Sequence, residues 1–162
     1  FPIRVKARET AYDKDVFHPE FYYEPWVMPG RKYNADRGWE IYEEAVVDIG
    51  MRIKEDYDNI PWFISENGIG IEGEDRYRNK EGYIDDDYRI DFLKGHLQRA
   101  LKVRNMGSNC FGYFVWSFVD NLSAINAFKN RYGLLELDLK TGNRIPKKSL
   151  YWFKEIMKDR QV

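Results

Sequence analysis

The sequence has little cysteine, no excess of either charge and no long apolar run, and each absence excludes a class of protein. Its single cysteine, Cys110, excludes a disulfide framework and is typical of a reduced, cytoplasmic setting. The 26 basic and 27 acidic residues leave a formal net charge of −1, which gives no reason to expect nucleic acid as a partner. No segment approaches the roughly 18 apolar residues of a membrane span, so we expect no membrane partner.

The amino terminus lacks both an initiating methionine and the pattern of a signal peptide. Because residues 1–4 begin in mid-pattern, we expect the chain to be a piece of a longer protein. Its 162 residues are enough for one domain with a hydrophobic core. Aromatic residues make up 17% of the chain, and they either fill that core or stack on sugar rings or bases.

Residues 1–39 are predicted to form a long ordered loop region of a single partial domain that covers residues 1–162. Pro19, Pro25 and Pro29 are too many prolines for a helix, and the aromatic residues among them are too many for a disordered linker. Alternating apolar and basic residues indicate one short strand over residues 3–7.

Residues 40–162 alternate between helical and strand patterns, which predicts the βα units of a parallel sheet. The sequence predicts a helix starting near Trp39 with Glu43 and Glu44 in its first turn, a second from about 85 to 104, and a third beginning at Pro146. It predicts strands over residues 62–65, 111–116 and 132–139. A closed barrel of eight such units needs about 250 residues, so this part is either a small open α/β sheet or the last part of a barrel.

An acidic triplet at residues 85–87 precedes the second predicted helix. Its spacing lacks the pattern of a calcium loop, and carboxylates at a helix start are typical of N-caps. We therefore expect N-capping rather than metal binding here, and the sequence as a whole implies no metal and no organic cofactor.

A catalytic candidate follows the predicted strand over residues 62–65. Glu66 comes directly after it, and Asn67-Gly68 then turns the chain. Ligands of parallel α/β proteins bind where strands end at their carboxyl tips, so an acid there is well placed for catalysis. The alternative is that Glu-Asn-Gly is ordinary turn chemistry.

Several segments of the chain resemble glycoside hydrolase family 1, in that family's order and at its spacing. These are residues 38–41, 64–68, 112–121, 131–134 and 144–149, followed by Trp152 and Phe153. The resemblance covers nearly the whole chain. It implies an α/β fold, the C-terminal part of a (β/α)8 TIM barrel comprising strands seven and eight with their helices, and therefore an incomplete barrel.

The resemblance also implies the hydrolysis of β-glycosides with retention of configuration. Glu66 would end the seventh strand as the nucleophile, and Trp116 would end the eighth and form the floor of the glycone site. A retaining enzyme needs a second carboxyl group about 5–5.5 Å away as acid and base. The family carries it in an Asn-Glu-Pro motif, whereas Glu24-Pro25 follows Tyr23 and lies at the wrong place in the order. The acid/base residue is therefore predicted to be absent from this chain.

The segment after Trp116 resembles the subgroup that cleaves 6-phospho-β-glycosides. Family members that act on unmodified sugars have Glu-Trp where this chain has Ser123-Ala124, and a hydroxyl in place of a carboxylate removes repulsion against a phosphate. Ser123 and Tyr132 match the subgroup's phosphate ligands. The subgroup's lysine position holds Asn130, so either Lys129 reaches the phosphate from a shifted loop or Asn130 donates a neutral hydrogen bond. Lys129 could equally be an ordinary exposed loop charge.

The resemblance therefore predicts a 6-phospho-β-glucosidase whose partner is a phosphorylated β-glucoside, with Ala124 favouring glucosides over galactosides. One alternative is a β-glucosidase that acts on non-phosphorylated sugars. Another is a non-catalytic sugar-binding module, for which the gene would end near Phe1. We expect the isolated fragment to be inactive and to self-associate through unpaired strand edges and exposed apolar helix faces.

Overall fold

A computed structural model describes residues 4–9, 18–160 and 162. Phe1, Pro2 and Ile3, which contributed to the predictions above, lie outside the described residues. The chain divides into two compact units, Phe1–Tyr42 and Glu43–Val162, and each is described by itself.

The first unit contains two antiparallel strand pairs. Strand β1 (Val5–Ala7) pairs with β2 (Tyr23–Pro25), and β3 (Lys32–Asn34) pairs with β4 (Trp39–Ile41). The segment predicted to be a long loop thus contains several short strands. The prediction of a helix starting near Trp39 is wrong, because β4 finds its hydrogen-bond partners in β3.

The second unit alternates helices with strands and confirms the predicted βα order. Its elements are α1 (Ala45–Asp56), β5 (Trp62–Asn67), α2 (Asp87–Asn105), β6 (Cys110–Val115), β7 (Leu135–Leu137), β8 (Arg144–Pro146) and α3 (Lys148–Asp159). Strands β5 and β6 are parallel, with Ile64 opposite Tyr113 and Asn67 opposite Val115. Strands β7 and β8 form a separate antiparallel pair.

Several other element boundaries also differ from the predictions. Strand β5 runs through Asn67 because its ladder with β6 extends that far, so Glu66 lies within the strand rather than after it. Only Leu135–Leu137 of the strand predicted over residues 132–139 is paired. Pro146 closes β8, and α3 begins at Lys148.

A small apolar core anchors the start of β5, at the opposite end from Glu66. Val47, Val103 and Cys110 are buried there, and the Trp62 ring packs against them. A Cβ atom on Gly50 would lie 2.6 Å from the Trp62 ring, so only glycine lets α1 approach this closely.

Much apolar surface of the second unit remains uncovered by the described residues. Phe63, Phe111 and Phe114 of the two parallel strands are exposed. A cavity of about 420 Å³ lies between the end of β6 and α3, and its apolar lining comprises Val115, Phe118, Leu134, Leu150, Phe153 and Met157. None of the helices in the described part of the chain is long and apolar enough to cross a membrane.

Candidate active site

The parallel pairing of β5 and β6 brings Glu66 and Trp116 to the same edge of the sheet. The Trp116 backbone N–H donates to the carbonyl of Asn67 at 2.9 Å, directly after the last strand pair. The Glu66 side chain is exposed, and among the described hydrogen bonds and ion pairs none involves its carboxylate. Trp116 is 39% exposed beside it. The edge therefore carries an exposed carboxylate with no partner among the described residues and a partly exposed tryptophan.

Asn67 and Gly68, the two residues that follow Glu66, fix the shape of this edge. The Tyr113 hydroxyl donates to Oδ1 of Asn67 at 2.5 Å, and burial raises the pKa of Tyr113, so it stays a neutral donor. A Cβ atom on Gly68 would lie 1.6 Å from the Trp116 carbonyl oxygen, so only glycine allows the two chains to approach. The peptide bond between Trp116 and Ser117 is cis.

The loops that leave β5 and β6 lie side by side. We call residues 68–73 the first loop and residues 116–134 the second loop. The Arg131 N–H donates to the Ile71 carbonyl at 2.9 Å, and Lys129 forms an ion pair with Glu72 at 3.1 Å. The ring of Tyr132 fills the space where a side chain at Gly70 would be. The two loops therefore hold each other in register along their length.

Tyr132 and Ser123 occupy different parts of the second loop. The Tyr132 carbonyl accepts the Ser117 N–H at 3.2 Å, which places Tyr132 next to the end of β6. Ser123 is half-buried in a tight turn, where it exchanges two backbone hydrogen bonds of 2.9 Å with Ala127. Its hydroxyl oxygen accepts the Ile125 N–H at 3.3 Å.

Lys129 and Asn130 differ sharply in accessibility. The Lys129 side chain is 66% exposed, whereas Asn130 is 1% exposed and accepts a hydrogen bond from the Asn126 amide. The Lys129 ammonium is therefore accessible to solvent beside its partner Glu72, whereas the Asn130 side chain lies inside the loop.

Five charged side chains, none of which was predicted from the sequence to be buried, form a cluster behind the two loops. The charge cluster comprises Glu74, Asp86, Arg89, Asp120 and Lys147, each at most 5% exposed. Arg89 pairs with Glu74 at 2.6 Å and with Asp86 at 2.7 Å. Lys147 pairs with Glu74 at 2.6 Å and with Asp120 at 3.0 Å.

Burial and pairing act in opposite directions on the cations of the charge cluster. Burial opposes the charge of Arg89, yet its pKa is raised because Tyr88, Glu74 and Asp86 surround it. Burial and the nearby Arg89 lower the pKa of Lys147, and Glu74 and Asp120 work against that shift. Burial raises the pKa of Tyr88, so its hydroxyl remains a donor to Glu74 at 2.7 Å.

Asp86 stands at the predicted N-cap position of α2 but does not cap that helix, since its side chain makes no cap hydrogen bond there. Its carboxylate instead accepts the Ser149 N–H at 2.8 Å and the Ser149 hydroxyl at 2.6 Å, in the first turn of α3. The predicted role of the acidic triplet is therefore wrong for Asp86, which satisfies a helix end that is 63 residues away in sequence.

Two further predictions concern groups that could take part in catalysis. Among the described residues, no group of three His, Cys, Asp or Glu side chains is placed to hold a metal ion. Glu24 forms an ion pair with Lys6 at 2.8 Å, and the hydrogen bond from Lys6 lowers the pKa of Glu24. Glu24 is thus an exposed ion-pair partner of Lys6, and the absence of the acid/base residue from this chain stays a prediction.

Comparisons with known proteins give the same family throughout. The model of glycosyl hydrolase family 1 matches residues 17–162. The 6-phospho-beta-glucosidase GmuD of Bacillus subtilis is 54% identical over 96% of this chain and 34% of its own length. A 6-phospho-beta-galactosidase of Clostridium acetobutylicum is 43% identical over 79% of this chain and 26% of its own length.

The solved structure of a family 1 beta-glucosidase from Thermotoga maritima superposes with a TM-score of 0.83 at 31% identity. The alignment covers 99% of this chain and 33% of that enzyme. The chain thus has the fold of part of a TIM-barrel enzyme, and it spans about a third of the length of the relatives it matches.

Proposed function

The chain belongs to glycosyl hydrolase family 1, and on that premise we propose that the full-length enzyme containing it hydrolyses 6-phospho-β-glucosides with retention of configuration. In this proposal the chain is the C-terminal part of the barrel, and β5 and β6 are its seventh and eighth strands. The 54% identity to a 6-phospho-beta-glucosidase supports the substrate class.

Glu66 is the proposed nucleophile. Its carboxylate attacks the anomeric carbon of the sugar, and the bond from that carbon to the aglycone oxygen breaks with its electron pair leaving on the oxygen. A carboxyl group outside this chain protonates that oxygen and then removes a proton from the water that hydrolyses the glycosyl ester. The observation that carries this role is the exposed Glu66 carboxylate, which no described group neutralises, at the carboxyl end of β5 beside Trp116.

The sugar binds over Trp116 in this proposal, and its phosphate binds at the second loop. Ser123, Lys129 and Tyr132 are the proposed phosphate ligands. Lys129 is favoured over Asn130 because its side chain is exposed, whereas that of Asn130 is buried. Lys129 would exchange its ion pair with Glu72 for the phosphate, which carries the larger charge.

A charge-specific substitution tests the phosphate site in the full-length enzyme. We expect kcat/KM for an aryl 6-phospho-β-glucoside to exceed that for the free aryl β-glucoside. Ser123→Glu should lower this preference at least about tenfold, because a carboxylate there repels the phosphate. The matched control is Ser123→Gln, which adds the same bulk without the charge and should lower the preference much less. Equal losses in the two variants would contradict the assignment of Ser123.

A second candidate function is a β-glucosidase for non-phosphorylated sugars, which the solved beta-glucosidase neighbours favour. The same kinetic comparison separates the two candidates. A wild-type preference for the free aryl glucoside would replace the first proposal by the second.

The isolated 162-residue chain is proposed to be inactive and to self-associate. It offers Glu66 without an acid/base partner, and it exposes Phe63, Phe111 and Phe114. Analytical ultracentrifugation should show association that grows with concentration. Glycosidase turnover by the purified chain would contradict the proposed absence of the acid/base residue.

A further inference from the structure

The charge cluster contains one residue that contacts more than its carboxylate partners. Arg89 is 1% exposed, and its guanidinium also donates to three backbone carbonyls, those of Ile69 at 2.6 Å, Tyr132 at 2.8 Å and Arg131 at 3.3 Å. Ile69 belongs to the first loop, and Arg131 and Tyr132 belong to the second. A single side chain in α2 thus binds both loops at the edge that carries Glu66.

A guanidinium is suited to this task by its shape. It is planar, and its five N–H donors point in fixed directions, so it can bind several carbonyls and carboxylates at once. A lysine ammonium carries the same charge but cannot reproduce that set of contacts. Glu74 and Asp86 neutralise the guanidinium, which leaves its remaining donors for the two loops.

Arg89 contacts the candidate site through the backbone carbonyl of Tyr132. This oxygen also accepts the Ser117 N–H, and the Ser117 carbonyl in turn accepts the Leu134 N–H at 3.0 Å. The position of Tyr132 relative to the end of β6 therefore depends on Arg89. A shift of about 1 Å in a group that positions substrate can change the rate by about a hundredfold.

We propose that Arg89 is a positioning residue for the sugar phosphate, because it sets the placement of Tyr132 and its neighbours in the second loop against the edge that carries Glu66. The inference rests on the proposed function for its substrate. Arg89 does not touch the substrate itself. It acts through the backbone of the residues that do.

The test compares two Arg→Lys variants of the same helix in the full-length enzyme. Arg89→Lys keeps the charge and loses the carbonyl contacts. The matched control, Arg99→Lys, changes an arginine of α2 that pairs with Glu44 at 2.5 Å and, among the described hydrogen bonds, makes none to the two loops. For Arg89→Lys, KM for an aryl 6-phospho-β-glucoside should rise about tenfold while KM for the free aryl β-glucoside and both kcat values change less than about threefold. Arg99→Lys should leave all four constants near wild type.

A purely structural role predicts a different result, in which both substrates lose kcat/KM by the same factor. That outcome, or unchanged KM values, would overturn the proposal. Should Arg89→Lys fail to fold, Tyr88→Phe provides a milder variant. It removes the hydroxyl that accepts from Arg89 at 2.6 Å and leaves every charge in place. Its KM change should have the same sign and a smaller size.

Amide hydrogen exchange provides a readout that does not depend on the substrate. In Arg89→Lys, the Ser117 and Leu134 amides should exchange faster than in the wild type, while the Trp116 amide, bonded to Asn67, stays as slow as before. Unchanged exchange at Ser117 and Leu134 would overturn the positioning role whatever the substrate. If the wild-type enzyme shows no preference for the phosphorylated substrate, the proposed function is contradicted. The exchange result alone then tests the positioning role of Arg89.

Discussion

Two glutamates eight residues apart show how differently the same side chain is used on the two sides of the first loop. Glu66 is exposed at the end of β5, and no described group donates to its carboxylate. Glu74 is 5% exposed and accepts hydrogen bonds from Tyr88, Arg89 and Lys147. The proposed role of Glu66 needs a carboxylate that a substrate can reach, whereas a buried charge needs every lone pair satisfied.

The candidate site therefore has two layers with opposite requirements. The outer layer, at the edge that carries Glu66 and Trp116, keeps its groups accessible. The inner layer, the charge cluster, excludes water and ties the loops to α2 and α3. Substitutions in the outer layer should therefore change activity, and substitutions in the inner layer should first change stability.

The largest effect is expected for Glu66→Gln in the full-length enzyme. The amide keeps the size of the side chain but cannot form the glycosyl ester, so turnover should fall about 10⁴-fold or more. The thermal midpoint should stay within a few degrees of wild type, because the side chain is exposed. The control is Glu81→Gln, which changes another exposed carboxylate of the same chain region. A near wild-type rate for Glu66→Gln would end the proposed role.

The same substitution at Glu74 should give the opposite pattern. Glu74→Gln removes the anion shared by Arg89 and Lys147 and leaves buried positive charge unbalanced, which costs about 3–5 kcal/mol of unfolding free energy. Urea unfolding of the full-length enzyme measures it. A matched surface control is Asp56→Asn, whose carboxylate pairs with the exposed Arg52 and should cost less than about 1 kcal/mol. Equal losses of unfolding free energy at both positions would contradict a larger stabilising contribution from the buried charge cluster.

A smaller loss is expected for Ser149→Ala, which tests whether the inner layer holds α3. The Asp86 carboxylate would lose the hydroxyl donor and keep the Ser149 N–H. We expect a loss of about 1–2 kcal/mol, since a buried charged acceptor loses one partner. The shifts in thermal midpoint of Ser149→Ala, of Asp86→Asn, which weakens both contacts, and of the double variant show whether the two residues act together. Independent, additive losses would contradict the coupling.

The smallest effect is expected at Glu44, which has two cationic partners like Glu74 but lies near the surface. Hydrogen bonds from Lys102 and then Arg99 lower the pKa of Glu44 from 4.5. The stability that this carboxylate contributes is therefore fully present above pH 4.5 and is lost as the pH falls through the lower folded pKa. Glu44→Gln should cost up to about 1 kcal/mol at pH 7 and nothing in strong acid. A difference that persists at pH 2 would show that packing, rather than charge, is responsible.

The helix α2 shows why the sequence predicts an element more readily than its buried face. The apolar spacing of residues 90–101 predicted the helix, but the residues buried on it are Arg89, Leu93, His96, Ala100 and Val103. Leu101 is apolar and follows Leu93 and Leu97 at helical spacing, yet it is 45% exposed. A buried arginine is stable only when other groups satisfy its charge and its donors, and several partners of Arg89, such as Glu74 and the carbonyls of Ile69 and Tyr132, lie outside the local pattern.

The residues of the candidate site likewise divide into those that the sequence marked and those that it did not. Glu66 was predicted from a carboxylate after an apolar strand, and Asp120 and Lys147 lay within segments that carry the family resemblance. Nothing local marked Glu74 or Arg89. Their partners lie between 1 and 73 residues away, and the longer of these separations are bridged only when the chain folds back onto α2.

The sequence by itself determined the alternation of helices and strands, the family and the carboxylate at the end of the first parallel strand, because these depend on local periodicity and on short motifs. Only the tertiary structure decided which charges are buried, which helix end Asp86 satisfies and how far each strand extends. The physical reason is that burial and pairing are properties of groups distant in sequence, and their free energies exist only once the fold brings those groups together.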